Sequence, residues 1–431
     1  MNILFIWPGT VEMVLDINSK NLFRKFRTIF RLSPRPLTFP ILAALTPKHH
    51  NIDIIEIEPT DKDYNKSYDL VAITCTTAYA PLAYKIADNF RMKGVTVVLG
   101  GWHPSVLPDE AKQHADSVVI GEAEESWPKL LEDFDNKTLK PFYIPQRPVP
   151  PELIPHPINI YPKNIKIELQ GSRGCPNGCE FCAITNMKFR NIHRVRPVDD
   201  IIEDFKRNSG KVITLIDNSL TVNLKYSKEL FSRLKGLNKK FVGYGTIDSL
   251  GNDEFLNLAR EAGCIGWEIG FESVSSDSLR SVGKKTNTVE MYQKNVKKIH
   301  DYGMSVIGFF VFGFDYDKKD IFEKTREVIE KCDIDTPIPL VLTPLPGTPL
   351  FNRLEKEGRI LTKDWSKYDY SHVVFKPKNI SAQELYTKTK ELHKVLYSNK
   401  NIIKRIYRKN NYSLSQKMSI TIGNIIIKYA R

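Results

Sequence analysis

The chain is short of cysteine and of long apolar runs. Only six cysteines occur in 431 residues, and no apolar stretch reaches the roughly eighteen residues of a membrane-spanning helix. The opening Met1-Asn2-Ile3-Leu4-Phe5-Ile6-Trp7-Pro8 is too short for a signal-peptide core and reads as a first β-strand. Cys75, Cys264 and Cys332 are scattered at strand or helix ends, which argues against a disulfide framework and for a reducing cytoplasm. No GxGxxG follows the first strand, so a dinucleotide site is disfavoured. Acidic residues also run out: none follows Glu391. A hydrophobic content of 41% and a charged content of 26% are otherwise those of a globular protein, with length for two or three domains.

The remaining three cysteines are concentrated in Gly174-Cys175-Pro176-Asn177-Gly178-Cys179-Glu180-Phe181-Cys182. An accidental CxxxCxxC is expected in roughly one such chain in a thousand. Thiolate is the soft ligand that iron–sulfur clusters select, and three thiolates leave the fourth corner of a 4Fe–4S cluster without a protein ligand. A structural zinc site is the rival reading. It would want a fourth ligand in paired knuckles, and His193 is the only imidazole nearby.

On these residues the chain resembles the radical S-adenosylmethionine (SAM) enzymes, whose signature is CxxxCxφC with an aromatic at φ, here Phe181. The resemblance implies that Cys175, Cys179 and Cys182 hold the cluster and that SAM chelates the open iron. One electron then cleaves SAM to a radical that takes hydrogen from substrate. The alternating run Ile165–Gln170 supplies the strand that should precede the loop.

Residues 1–140 alternate strand and helix, with strands expected at Ile3–Trp7, Ile52–Ile57, Leu70–Cys75, Val95–Leu99 and Ser117–Ile120. That rhythm predicts a Rossmann-like, doubly wound α/β domain with ligands beyond the carboxyl ends of its strands. The strand ends carry Thr74-Cys75-Thr76-Thr77-Ala78-Tyr79, Gly100-Gly101-Trp102-His103-Pro104-Ser105 and Gly121-Glu122-Ala123-Glu124. These runs resemble the cobalamin-binding domain that precedes the barrel in one branch of radical SAM proteins, where GGxHPSxxP and GExE recur. The resemblance implies cobalamin contacts from Thr76, Thr77, Tyr79, Gly100, Gly101, His103, Gly121 and Glu122. None of the nine histidines lies in the DxHxxG of proteins that ligate cobalt from below. His103 is accordingly read as structural or tail-contacting, not as an axial ligand.

From Pro141 to Pro162 eight prolines mark a linker over the surface. Residues 163–375 give six strands, at Ile165–Gln170, Val212–Ile216, Phe241–Ile247, Ile265–Phe271, Ser305–Phe312 and Ile338–Leu345, with helices between. Six β/α units suit the partial (β/α)6 TIM-type barrel of radical SAM enzymes. Resemblance to the family's strand-end motifs implies SAM contacts from Phe181, Asp217, Asp248, Glu272 and Ser273, while helix capping is the rival role for the acids. Arg194 and Arg196 read as surface or linker-binding residues.

Residues 376–431 form a basic helical tail, with Lys400, Lys404, Arg405, Arg408 and Lys409 among isoleucines, and Phe23–Arg31 repeats the pattern. Such segments suit either an anionic membrane surface or packing on the protein. The function expected is a cytoplasmic enzyme using a 4Fe–4S cluster, SAM and cobalamin to methylate an unactivated carbon. Its substrate is a small molecule, of lipid or isoprenoid type on the evidence of the tail, and its electron donor a flavodoxin or ferredoxin. A related cyclase or rearrangement enzyme and a non-catalytic cobalamin-binding protein are the alternatives. Nucleic acid is not an expected partner, because a tRNA-modifying relative would carry a second cysteine triad upstream and only Cys75 precedes Cys175.

Overall fold

The computed structural model describes residues 1–8, 35–56, 58–161, 167–407 and 412–429. The basic stretch Phe23–Arg31 lies outside them, as do Ile57, Ile165, Lys166, Arg408 and Lys409.

Six parallel strands form the front sheet: β1 (Asn2–Ile6), β2 (Asn51–Ile55), β3 (Leu70–Thr74), β4 (Thr96–Gly100), β5 (Ser117–Val119) and β6 (Phe142–Tyr143). Their spatial order is β2-β1-β3-β4-β5-β6. The strands are apolar on both faces because both are covered. Leu4, Ile6, Val71, Ile73 and Leu99 pack with Ala83, Ile86 and Phe90 of helix Ala80–Met92. Ile3, Phe5, Leu70 and Val98 meet Phe39 of helix Thr38–Leu45 and Trp127 of helix Ser126–Asp135. The order reverses at β1, which opens a crevice beyond the carboxyl ends of the strands.

The proline-rich segment is not simply a surface linker. Its first residues supply edge strand β6, and Val149 and Ile154 are buried against Leu37 and Ile41. The Ile158 N–H also donates to the Pro40 carbonyl at 3.1 Å. Two apolar side chains thus convert it into a strap across the front domain's first helix.

A short antiparallel pair, β7 (Ser172–Arg173) and β8 (Arg194–Val195), precedes the barrel sheet. That sheet comprises β9 (Val212–Leu215), β10 (Lys240–Gly245), β11 (Cys264–Glu272), β12 (Ser305–Phe312) and β13 (Thr336–Val341), all parallel in the order β13-β12-β11-β10-β9. The expected first strand is reduced, among the described residues, to two bridged positions. Leu169 pairs with Leu215, and Ile167 pairs with Arg35 from the front domain. A sixth position is therefore filled, and its outer edge is covered by the other domain. Phe231, Phe241, Phe255 and Trp267 fill the space between this sheet and its helices.

The tail packs on the barrel. Tyr412 donates its hydroxyl to the Met304 carbonyl at 3.1 Å, just before β12, and Asn424 Nδ2 donates to the Asp335 carbonyl at 3.1 Å, just before β13. No helix among the described residues is long and apolar enough to cross a membrane.

Candidate functional site

The cysteine loop leaves the end of the first barrel strand and is closed at its neck by the β7–β8 pair. Gly174 has φ +87°, and a Cβ there would strike the Ile192 carbonyl, so only glycine fits the neck. Three groups fix the loop's backbone. Asp217 Oδ2 accepts from the Gly171 N–H at 3.0 Å, Asn218 Oδ1 from the Gly174 N–H at 2.8 Å, and the Arg190 carbonyl from the Cys175 N–H at 2.9 Å. Farther along, Arg353 grips the Glu180 carboxylate through two bonds of 2.6 and 3.0 Å, and Phe181 meets Phe314 edge-on at 5.9 Å.

Cys179 is buried, and Cys175 and Cys182 are half-buried. Burial pushes the Cys179 thiol up to about 11, against the opposing charge of Lys284. Burial would lower Lys284 as well, but the charges of Glu272 and Cys179 outweigh it and raise the ammonium. The Lys284–Glu272 pair is closed at 3.0 Å. Among the described residues, no three His, Cys, Asp or Glu side chains close around one point as a single ion would require. Three soft donors on one loop instead suit the corners of a cluster, whose charge would draw the thiols to thiolates.

Glu272 lies at a register shift in β11 with φ +61°, and a Cβ on Gly270 would run into its carboxylate. The strand end is thereby bent so that Glu272 turns back toward Lys284 and the loop. Ser273 accepts from the Ser275 N–H at 3.1 Å. Asp217 is wholly buried, its acidity suppressed by burial, and is engaged with the neck of the loop. Asp248 is exposed and caps the short helix Ser249–Gly251 through the Ser249 N–H at 2.7 Å. Of the five residues expected at SAM, then, Phe181 and Glu272 gather at the loop, Asp217 braces it, Ser273 closes the following turn, and Asp248 stands at a cap.

Between the domains lies a cavity of about 320 Å³, within the usual range of small-molecule sites. The front domain lines it with Gly100, Gly101, Trp102 and Gly121, and the barrel with Glu168, Gln170 and Arg173, beside Met187 and Arg190 of the cysteine loop. Gly101 has φ +96°, and a Cβ on it would lie 2.6 Å from Thr74 Oγ1 and 2.8 Å from the Cys75 carbonyl. The Trp102 indole N–H is buried without a partner among the described residues. A backbone cradle with an orphaned donor fits a bulky ligand edged with acceptor oxygens.

Thr76, Thr77, Tyr79 and His103 do not line this cavity. His103 is wholly buried, and its Nε2 lies 3.0 Å from Glu110, which also accepts from Trp365 Nε1 at 3.1 Å and from the Tyr84 hydroxyl at 3.0 Å. That network ties the front domain to the segment after the barrel.

Glu122 does line the cavity, but its carboxylate is engaged by three arginines. Arg194 contacts it at 2.7 and 2.8 Å, Arg190 at 3.0 Å and Arg173 at 3.6 Å, while Arg173 also reaches Glu124 at 2.6 Å. Burial alone would raise the Glu122 carboxyl; the Arg194 bonds and the charges of Arg190 and Arg173 overcome it and hold the group at about 2. Of the reading of Arg194 and Arg196 as surface or linker-binding residues, the surface half is corrected, since Arg194 is nearly enclosed in this clasp and Arg196 is buried on Asp204 at 2.7 Å, while Arg194 does bind the linker, donating to the Val149 carbonyl at 2.8 Å. Sequence reasoning missed Asn218, Lys284, Arg353 and the clasp arginines. The only signal was the density of arginine just after the cysteines, and nothing local said which carboxylates it would meet.

Deeper in the barrel, burial and then the charge of Glu268 push the Glu168 carboxyl up to about 8. Burial also raises Glu268.

Residues 34–131 match the B12 binding domain, residues 169–329 the radical SAM superfamily, and residues 348–424 a domain of unknown function. The chain is 30% identical over 391 residues to bacteriochlorophyllide d C-12(1)-methyltransferase of Chlorobaculum tepidum, covering 87% of this chain and 85% of the relative. It is 31% identical over 422 residues to the C-8(2)-methyltransferase of the same organism, covering 90% and 91%. Hopanoid C-2 methylase of Rhodopseudomonas palustris matches at 27% over 286 residues, 62% of this chain and 54% of that one. Among solved structures, the radical SAM methyltransferase TsrM from Kitasatospora setae, with cobalamin and a 4Fe–4S cluster bound, superposes with a TM-score of 0.69 at 12% identity, covering 100% and 99%. The cobalamin-dependent enzyme OxsB, with aqua-cobalamin and SAM bound, gives 0.69 at 14%, covering 99% and 72%. At those identities the likeness is one of fold.

Proposed function

The chain belongs to the cobalamin-dependent radical SAM methyltransferases, and from that premise we propose that it methylates an unactivated carbon of an apolar polycyclic substrate. It is an enzyme of 4Fe–4S cluster, SAM and cobalamin, in which the cluster supplies the electron that cleaves SAM and cobalamin carries the methyl group. The observation that carries the reading is one cavity bounded by the glycine strand ends of the front domain and by residues of the cysteine loop. A methyl carrier held there would lie next to the radical source.

Each part of the chain has a share in this. Cys175, Cys179 and Cys182 would hold the cluster, on a loop kept rigid by Asp217, Asn218 and Arg353. Glu272, oriented by Lys284, would face SAM. Gly100, Gly101 and Gly121 would let cobalamin approach the backbone, with Trp102 donating to one of its oxygens. A bulky ligand filling the space between the two domains would displace water from it, which protects a radical from quenching.

The substrate class rests on two supports. Relatives are named for a bacteriochlorophyllide and a hopanoid, both large apolar ring systems. The inward positions of β12 and β13, including Ile307, Phe309, Ile338 and Leu340, are apolar and only half-buried. A flavodoxin or ferredoxin would supply electrons in the cytoplasm. The helix Leu414–Lys428 leaves Leu414, Met418, Ile425 and Tyr429 exposed on one face, beside lysines and with no acid after Glu391. That face suits peripheral contact with an anionic membrane where such a substrate resides.

Anaerobic reconstitution with SAM carrying a deuterated methyl group tests the proposal. Formation of 5'-deoxyadenosine together with a product bearing the labelled methyl supports it. Cleavage of SAM with no label in any product would instead favour ring closure, the reaction for which a relative 23% identical over 406 residues is named.

A further inference from the structure

The wall of the interdomain cavity has an excess of hydrogen-bond donors. Trp102 Nε1 is buried with no acceptor among the described residues. In the clasp beside it, the only carboxylates that the guanidiniums of Arg173, Arg190 and Arg194 meet among the described residues are those of Glu122 and Glu124, which leaves one positive charge over. The bonds identify which. Arg194 takes Glu122 in a two-pronged grip, and Arg173 is satisfied by Glu124 and by Gln170 Oε1 at 2.8 Å. Arg190 has only a lateral approach. Its Nε stands 3.0 Å from Glu122 Oε1 without the orientation of a hydrogen bond.

Arg190 is also largely enclosed, with only about a fifth of its side chain exposed. Glu168, another carboxyl in the same cavity wall, is held toward its neutral form and does not neutralise it. A buried cation without its own anion is costly. It persists where a ligand brings the missing charge.

We propose that Arg190, with the Trp102 N–H as a second donor, receives an oxyanion of the molecule that fills this cavity. The oxyanion is a phosphate or a carboxylate, the groups whose paired oxygens fit a guanidinium. The inference rests on the methyltransferase reading and assigns that site a specificity residue. Two sources carry the chemistry: the phosphodiester of cobalamin's nucleotide loop, and a carboxylate on the side chain of a ring substrate.

The test has an arm for each source, read by equilibrium binding to the full-length protein under anaerobic conditions. In the first, hydroxocobalamin is compared with cobinamide, which keeps the corrin ring and lacks the phosphodiester. In the second, protoporphyrin IX is compared with its dimethyl ester, which lacks the carboxylates. Arg190→Met is expected to weaken the oxyanion-bearing member of one pair by about ten- to a hundredfold, the range of a charge-assisted bond, and to leave the counterpart that lacks the oxyanion unchanged. Arg190→Lys should recover part of the loss. Trp102→Phe, which removes only the N–H, should act in the same direction with a smaller effect and keeps the test open should Arg190→Met not fold. The arm that responds names the source. Equal affinities of variant and wild type for all four compounds would overturn the proposal, and so would equal losses for both members of a pair. A wild-type protein that binds no corrinoid would overturn the cobalamin reading itself, and the porphyrin arm would then decide alone.

Discussion

Replacing Glu122 by glutamine is expected to loosen the joint between the two domains, and the structure sets the size of the effect. The carboxyl is held at about 2 against an ordinary value of 4.5. That depression corresponds to about 3 kcal/mol of stabilisation at neutral pH. Breaking a buried ion pair from one side typically costs about 3–5 kcal/mol, which agrees. The sign of the pH dependence follows from the depressed value. The stabilisation is complete above about pH 4.5 and is lost as pH falls toward 2. The gap between wild type and Glu122→Gln should therefore shrink from about 3 kcal/mol at pH 7 to about 2 kcal/mol at pH 3.5. Because glutamine does not titrate, taking the difference removes the acid sensitivity of every other carboxyl. Urea denaturation at several pH values, followed by intrinsic tryptophan fluorescence, measures it. A variant as stable as wild type at pH 7, or a gap that does not narrow below pH 4.5, would refute the account of the clasp.

Other outcomes follow from single contacts. Cys179→Ala should abolish iron–sulfur absorbance and 5'-deoxyadenosine formation while leaving corrinoid binding in place, as checked by anaerobic spectroscopy and product analysis. Arg353→Met removes the two bonds that hold Glu180 between two of the cysteines; it should lower iron content after reconstitution and shift the cluster's reduction potential, with domain stability reduced by about 1–2 kcal/mol. Gly101→Ala forces a Cβ into the Cys75 backbone at positive φ; a loss of about 1–3 kcal/mol and failure to retain a corrinoid through gel filtration are expected. The triple change Leu414→Ser, Met418→Ser, Ile425→Ser alters exposed positions. It should leave folding intact and reduce flotation with phosphatidylglycerol vesicles several-fold, and unchanged flotation would reject the membrane face.

The strands were legible because their apolar runs are local. Leu70–Thr74 and Ser305–Phe312 each announce themselves within eight residues, and Gly313 marks where the second stops. The first barrel strand was legible in pattern; of its described residues Leu169 pairs with Leu215, and the pairing of Ile167 with Arg35, from a distant stretch, had no local signal. Proline density marks the linker's irregular backbone and says nothing of which of its side chains are buried. Val149 and Ile154 are buried by partners more than a hundred residues away.

Residue chemistry in the order of the chain determined that this protein carries a three-thiol loop on a β/α frame, behind a domain with glycine-rich strand ends. Spacing along one loop limits how far its side chains can stand apart, so such features survive without knowledge of the fold. What only tertiary structure decided is the role of the charges. Glu122 appears in sequence as a ligand contact and in space as the anion of an arginine clasp; His103 appears at a strand end and belongs to a network closed by Trp365; Asp217 and Asn218 brace a backbone more than forty residues away. A carboxylate or imidazole looks the same in sequence whether it binds, caps or braces. Its role is set by which charge and how little water surround it, and those are properties of packing.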